Sequence, residues 1–251
     1  NGKSSTLNIK INFDQTQKTI LLEDNAGGVK EKELDYLISP GASSNTADDN
    51  TIGIFGVGTK RAVIALSQDI KIKTRFKKNK TFQIEFDEVW LRDEDWHLPY
   101  FEITNIDEGS TIIELQKLRV EIGDQEISNL SNHLSCTYAK FLDSKNFNIE
   151  INGIKLKSLR FENWAYPKDY SPHEYNGELN FLNGNKVRVN VIAGLTNESS
   201  PAGGEYGVYF YCNERLIARA LKSPEVGYIK GIAGQPHPSL SIARIIVSLN
   251  G

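Results

Sequence analysis

The stretch from Ile20 to Ala65 constrains the fold of this 251-residue chain more than any other. It reads I-L-L-E-D-N-A-G-G-V, passes through a loop of small and polar residues, and resumes as G-I-F-G-V-G-T-K-R-A-V-I-A-L. An acid, Asp24, follows an apolar strand segment from Thr19 to Leu22. Gly27 and Gly28 then let the backbone come close to a flat partner. Gly53, Gly56 and Gly58 open onto a helix with apolar spacing at Val57, Ala62, Val63 and Leu66. Glycines ahead of a helix N-terminus make an anion site: the N–H groups are free, no Cβ blocks approach, and the helix dipole favours negative charge. Lys60 and Arg61 in the first turn carry positive charge that a bound anion would relieve. The run from Gly53 to Lys60 therefore reads as a phosphate cradle. The spacing of a Walker A loop, G-x-x-x-x-G-K-[ST], is absent, and no acid sits where a dinucleotide fingerprint needs one.

Taken in order, these motifs resemble the GHKL ATPases, the superfamily of gyrase-type topoisomerases, heat-shock chaperones, histidine kinases, MutL and MORC proteins. The nearest look is to MORC, MutL and bacterial ATP-binding proteins of that branch. In such proteins the acid of a D-x-G-x-G motif takes the adenine amino group, a position that falls on Asp24. The motif's first glycine is Ala26 here, a departure, and its second is Gly28. The family's G-x-x-G-x-G motif falls on Gly53, Gly56 and Gly58, and a G-T pair entering a strand falls on Gly109 and Ser110, with serine for threonine. The resemblance thus carries nucleotide contacts onto Asp24, Ala26 and Gly28, onto Gly53, Phe55, Gly56, Val57, Gly58, Thr59 and Lys60, and onto Ser110. It implies ATP and Mg²⁺ as cofactors, slow hydrolysis, a lid that closes on nucleotide, and an ATP-dependent homodimer acting on DNA or on a protein partner. The alternative is a chaperone-like or signalling module that acts on a protein without DNA. The family's catalytic glutamate and magnesium-binding asparagine come from a helix before the first strand, and its γ-phosphate lysine from a loop after the last one. Both are expected outside residues 1–251, so catalytic residues stay unassigned. A first residue other than Met and the lack of any methionine fit a fragment of a longer chain.

The rest of the chain reads as alternating strands with few helices. Leu7–Phe13 and Lys18–Leu22 pair through a turn at Asp14–Gln17, and Glu31–Leu37 is a short helix with Leu34 and Leu37 inward. Residues 39–50 have turn composition and no apolar period, which makes them a lid candidate between the two glycine motifs. Asp69–Phe76 and Thr81–Trp90 form a hairpin around a lysine-rich turn, and Phe101–Ile106 and Thr111–Gln116 add strands. Ile127–Phe141 has the three-four apolar spacing of an amphipathic helix, and Asn152-Gly153 marks a hairpin. Strands at Lys186–Ile192, Gly207–Tyr211, Leu216–Ala220 and Ile242–Leu249 follow. Y-G-V-Y-F-Y-C-N-E-R-L-I resembles a transducer domain of MORC and MutL proteins. The expected class is α+β: a Bergerat-type ATP-binding α/β sandwich over 1–120, a connecting helix and hairpin over 121–158, and a transducer-like α+β domain over 159–251.

Composition narrows the function classes. Hydrophobic residues make up 39% and charged residues 24%, and the net charge of −3 gives no global argument for nucleic acid or membrane binding. No apolar run reaches the length of a membrane span. The two cysteines, Cys136 and Cys212, lack C-x-x-C spacing, and two isolated thiols fit a reducing cytoplasm. His97, His133, His173 and His237 have no metal-ligand spacing, and no G-x-S-x-G or H-E-x-x-H occurs.

Overall fold

The computed structural model describes residues 6–37, 58–92, 100–165, 171–181, 184–196, 204–227 and 243–251. By its contacts the chain divides into two units. One is Asn1–Ser131 with Ser144–Leu156; the other is Asn132–Asp143 with Lys157–Gly251. The fold class is α+β, as expected, with two sheets and a few short helices among the described residues.

The first unit is built on an eight-stranded sheet. Its strands are β1 (Leu7–Asp14), β2 (Thr19–Asp24), β3 (Ser67–Arg75), β4 (Thr81–Asp87), β5 (Tyr100–Ile103), β6 (Thr111–Leu118), β7 (Phe147–Ile151) and β8 (Ile154–Lys155). They lie in the order β5-β4-β3-β6-β2-β1-β7-β8, and only β1 with β7 runs parallel. Period-two alternation gives the sheet one dry face and one wet face. Ile11, Ile20, Ile70, Ile72, Ile84 and Leu115 are buried on the first. Lys10, Glu23, Lys71, Glu85 and Glu114 are on the second, where Lys71 pairs with Glu85 at 3.7 Å. Each buried isoleucine contributes about 1.5–3 kcal/mol. Helix α1 (Gly58–Leu66) packs on β3 and β6 and buries Val63. Arg119 closes its C-terminal end, donating from its backbone N–H to the Leu66 carbonyl and from Nε to the Ile64 carbonyl. The 3-10 helix Glu31–Leu37 buries Leu34 completely and Leu37 in part.

Some elements end earlier than alternation alone suggests. The strand expected to run to Trp90 stops at Asp87, whose carboxylate accepts the N–H groups of Val89 and Trp90 at 3.0 and 2.9 Å. Asp87 thereby caps a short helix, α2 (Glu88–Arg92). The strand expected over Phe101–Ile106 stops at Ile103, because Asn105 and Ile106 turn inward to bond Thr81. The single helix expected over Ile127–Phe141 begins at Asp124 and breaks at Tyr138 into α3 (Asp124–Thr137) and α4 (Ala139–Leu142). The Asn152-Gly153 hairpin forms with φ of 47° and 79°, the left-handed pair of a tight two-residue turn.

The second unit carries a five-stranded sheet, ordered β12-β11-β13-β10-β9. Its strands are β9 (His173–Asn180), β10 (Lys186–Leu195), β11 (Gly207–Cys212), β12 (Arg215–Leu221) and β13 (Ala243–Asn250). Strand β9 went unforeseen, because HEYNGELN shows no apolar alternation and all eight residues are exposed. One face of the sheet buries Tyr209, Tyr211, Leu216 and Ile246 with Cys136 and Phe161. Into this apolar cluster the fold places Arg244, which is fully buried on β13. Its guanidinium donates to the Glu205 carbonyl at 2.7 Å, to the Phe161 carbonyl at 2.5 Å and to the Asn163 side chain. Glu205 also accepts from Tyr209 Oη at 2.7 Å and pairs with Arg219. A buried guanidinium is tolerable only when its donors are satisfied in this way. Burial pushes the Glu205 carboxyl up, but Arg219, Tyr209 and Arg244 together hold it below the ordinary glutamate value.

Arg244→Met should therefore lower unfolding stability by about 3 kcal/mol or more, since several buried acceptors lose their donor. Urea denaturation of this chain checks it, and an unchanged midpoint would refute it. Because the Glu205 value is depressed, its contribution is present above the ordinary glutamate range and is lost as pH falls through the folded value. Glu205→Gln should flatten that acid limb in melts recorded across pH.

Candidate functional site

The site is assembled where β2, β3 and β6 end together. Asp24 closes β2 and stands directly opposite Thr111 on β6 and Ile9 on β1, so the three share the dry face. Its carboxylate accepts the Ala26 N–H at 2.9 Å, folding the chain into a turn right after the strand. Half-burial pushes the Asp24 carboxyl above its ordinary value, and the Ala26 N–H offsets this in part.

The two glycine loops are stitched to each other by backbone. Gly27 donates to the Gly109 carbonyl at 2.7 Å. A Cβ on Gly109 would meet the Gly27 Cα at 3.3 Å. Gly28, at φ 68°, lies so close to β3 that a Cβ would sit 2.1 Å from the Arg75 carbonyl oxygen. Arg75 also receives the other loop: its N–H donates to the Ser110 carbonyl at 3.0 Å and its Nη1 to the Ile106 carbonyl at 2.7 Å. Beneath the loops Thr74, fully buried, lies 3.1 Å from the Thr111 hydroxyl and accepts the Val29 N–H at 2.9 Å. Thr74 Oγ1 keeps a second lone pair beside the Val29 bond, so either hydroxyl can donate across the Thr74–Thr111 pair.

The structure thus brings Asp24, Ala26, Gly28 and Ser110 into one shelf. Gly58, Thr59 and Lys60 form the first three residues of α1, as expected for a glycine motif opening a helix. Gly53, Phe55, Gly56 and Val57, and the lid candidate at 39–50, lie outside the described residues. Thr111 also reaches the shelf. Ser110 was singled out by its place after Gly109, but the register puts Thr111, one position on, opposite Asp24. The signal available was the strand itself: once β6 starts at Thr111, side-chain alternation decides which hydroxyl shares the face of the acid.

A cleft of about 440 Å³ lies beside this shelf, with Asn8, Lys10, Glu23 and Ile112 in its lining along with Asp24 and Ser110. Asn8, Lys10, Glu23 and Ile112 alternate with Ile9, Ile11, Asp24 and Thr111, so the cleft belongs to the wet face. It meets the shelf at Asp24 and Ser110. That shelf sets a carboxylate acceptor beside a hydroxyl that can donate or accept. Among the described residues no cluster of three or more His, Cys, Asp or Glu side chains is poised for a metal. Among the described residues, too, no helix is long and apolar enough to cross a membrane.

Residues 2–118 match the family model described as "Histidine kinase-, DNA gyrase B-, and HSP90-like ATPase". No curated protein matches the chain. Among solved structures, the chain is similar to the ATPase region of Saccharomyces cerevisiae topoisomerase II, with a TM-score of 0.58 and 16% sequence identity. That similarity covers 98% of this chain and 72% of the yeast one, so it runs through both sheets. At this identity it speaks for the fold alone. Residues 2–118 thus resemble that ATPase family by sequence, and the chain resembles the yeast ATPase region in fold.

Proposed function

We propose that the chain binds ATP on the Asp24–Thr111 shelf and belongs to a slow ATPase whose nucleotide state drives lid closure and dimerisation. The observation that carries this reading is the acceptor–donor pair at Asp24 and Thr111, held by two glycine loops that a side chain would force apart. Asp24 accepts the adenine amino group, and Thr111, positioned by Thr74, faces a ring nitrogen. Gly53, Gly56 and Gly58, with Lys60, wrap the phosphates, and Mg²⁺ accompanies them. Residues 39–50 are the lid. Within the superfamily we place the chain nearest the MORC and MutL branch, on the passage Tyr206–Ile217, which forms β11, a two-residue turn and β12. On this reading 1–120 is the ATP-binding domain, 121–158 the connector and 159–251 a transducer-like domain, in a cytoplasmic protein. Closure gates action on DNA or on a protein partner. Nucleotide-dependent, salt-sensitive DNA binding supports the first, and capture of a partner without DNA the second.

Calorimetric titration with a non-hydrolysable ATP analogue and Mg²⁺ tests the reading. The parent chain should bind, and Asp24→Asn should weaken binding by roughly ten- to a hundredfold, the loss of a charge-assisted bond worth about 1.5–3 kcal/mol. Equal binding by the two would sink the assignment of Asp24. Since burial raises the Asp24 value, its charge costs folding free energy at neutral pH, and that cost is relieved as pH falls through the folded value. Asp24→Asn should therefore melt no lower than the parent at pH 7, which separates lost binding from lost fold. Affinity for the analogue should also drop on acidification before an ordinary aspartate would protonate.

The glycine loops give an independent check. At Gly27 a Cβ meets nothing within 4 Å, although φ is 122°. Gly27→Ala should cost about 1–3 kcal/mol of unfolding free energy through backbone strain alone. Gly28→Ala adds a clash with Arg75 backbone and should cost clearly more. Chemical denaturation that ranks the two in the reverse order would overturn the packing described.

A further inference from the structure

Sheet edges are sites of unwanted pairing, and proteins blunt them by shortening, bulging or charging the outer strand. Three of the four edges described here are blunted. In the first unit the outer strands β5 and β8 have four and two residues. In the second, β12 carries Arg215 and Arg219, has register shifts against β11, and holds Ala220 at φ 52°.

The fourth edge is different. Strand β9 runs eight residues, His173–Asn180, in unbroken register with β10 from His173↔Ala193 to Asn180↔Lys186. It contains no proline, no lysine and no bulge. Every residue is exposed, and Tyr175, Leu179 and the adjoining Phe181 are 61%, 52% and 51% exposed. Among the described residues no strand pairs with its outer side.

We infer that β9 pairs antiparallel with β9 of a second copy of this chain, about a two-fold axis through Gly177, joining the two five-stranded sheets into one. The side-chain chemistry selects this register. Centred on Gly177, Tyr175 lies opposite the partner's Leu179 and Glu178 opposite the partner's Asn176, while Glu174 faces the partner's Asn180. An aromatic then meets an aliphatic on one face, and no glutamate faces a glutamate on the other. Centring the axis one residue earlier, on Asn176, would set Glu174 against Glu178. Both carboxylates are already engaged within their own chain. Lys186 Nζ lies 2.8 Å from Glu178, and Asn190 donates to Glu174 at 2.6 Å. At the axis, Gly177 has open space where a side chain would stand. This contact is isologous, as a closed dimer requires, and it needs no nucleotide, unlike the dimerisation proposed above.

Sedimentation velocity of the 251-residue chain without nucleotide tests it. The expected result is a concentration-dependent dimer whose dissociation constant rises at least about tenfold in Leu179→Lys. Leu179 is half exposed, so this variant keeps its fold, which a matching melting curve checks. Gly177→Cys should cross-link to a covalent dimer under mild oxidation, because directly opposed residues have Cβ atoms about 4.5–5.5 Å apart. Asn176→Cys, which faces Glu178 and not itself, should not. A monomer at all concentrations overturns the inference. So does a dimer that appears only with nucleotide, or one that survives Leu179→Lys without cross-linking through Gly177→Cys. Failure of ATP binding leaves these outcomes unchanged, so the two proposals fall separately.

Discussion

The candidate site depends on one close approach: the glycine loop after β2 lies directly on the backbone of β3 and against the loop before β6. A Cβ at Gly28 would stand 2.1 Å from the Arg75 carbonyl oxygen, a distance no neighbour can relax away because the obstacle is itself main chain. Glycine is used there for contact distance as well as for its positive φ. The 2.7 Å bond from Gly27 to Gly109 then ties the second loop to the first. Arg75 holds the second loop by its N–H and its guanidinium, while its backbone lies against Gly28 of the first. The consequence is rigidity at the end of three strands, which lets a carboxylate and a hydroxyl be presented to a ligand with little ordering cost.

The two sheets solve burial differently. In the first, period-two alternation alone separates isoleucines from lysines and glutamates, so burial needs few special contacts. In the second, a fully buried arginine and two buried tyrosines sit among apolar side chains. That arrangement holds because Glu205 is shared: its carbonyl takes Arg244, and its carboxylate takes Tyr209 and Arg219. The buried positive charge and its acceptors specify one packing of β13 against the segments at 161–163 and at Glu205. An apolar replacement would fill the same space without dictating which segments meet there.

What could be read from residues follows from where the physical signal is local. The β1–β2 and β7–β8 hairpins were legible because alternation and turn chemistry sit within a few residues of one another. The glycine turn at Gly27-Gly28 was legible because positive φ and close approach leave few other choices of residue. Strand β9 was illegible because its side chains are exposed on both faces, so no apolar period marks it, and only pairing with β10 defines it. The end of β4 at Asp87 was hidden for a similar reason: a cap competes with strand continuation only once the helix after it exists. Thr111, one position past Ser110, shares the face of Asp24. A motif counts residues along the chain, whereas the shelf is built across strands, and the register between β2 and β6 fixes which hydroxyl faces Asp24.

That cross-strand geometry has a further chemical consequence on the proposed reading. Guanine presents a carbonyl oxygen where adenine presents an amino group, so a charged Asp24 would set two acceptors against each other. A buried unmatched pair of this kind rejects a ligand more strongly than a missing contact does. The discrimination exists only while Asp24 is ionised, yet its burial raises the carboxyl and works against ionisation. The Ala26 N–H acts in the opposite sense, stabilising the charged form at 2.9 Å. The residue that stands in the place of the motif's first glycine therefore contributes through its backbone, which alanine supplies as well as glycine would. On that reading, the side-chain departure at Ala26 leaves the backbone bond to Asp24 intact.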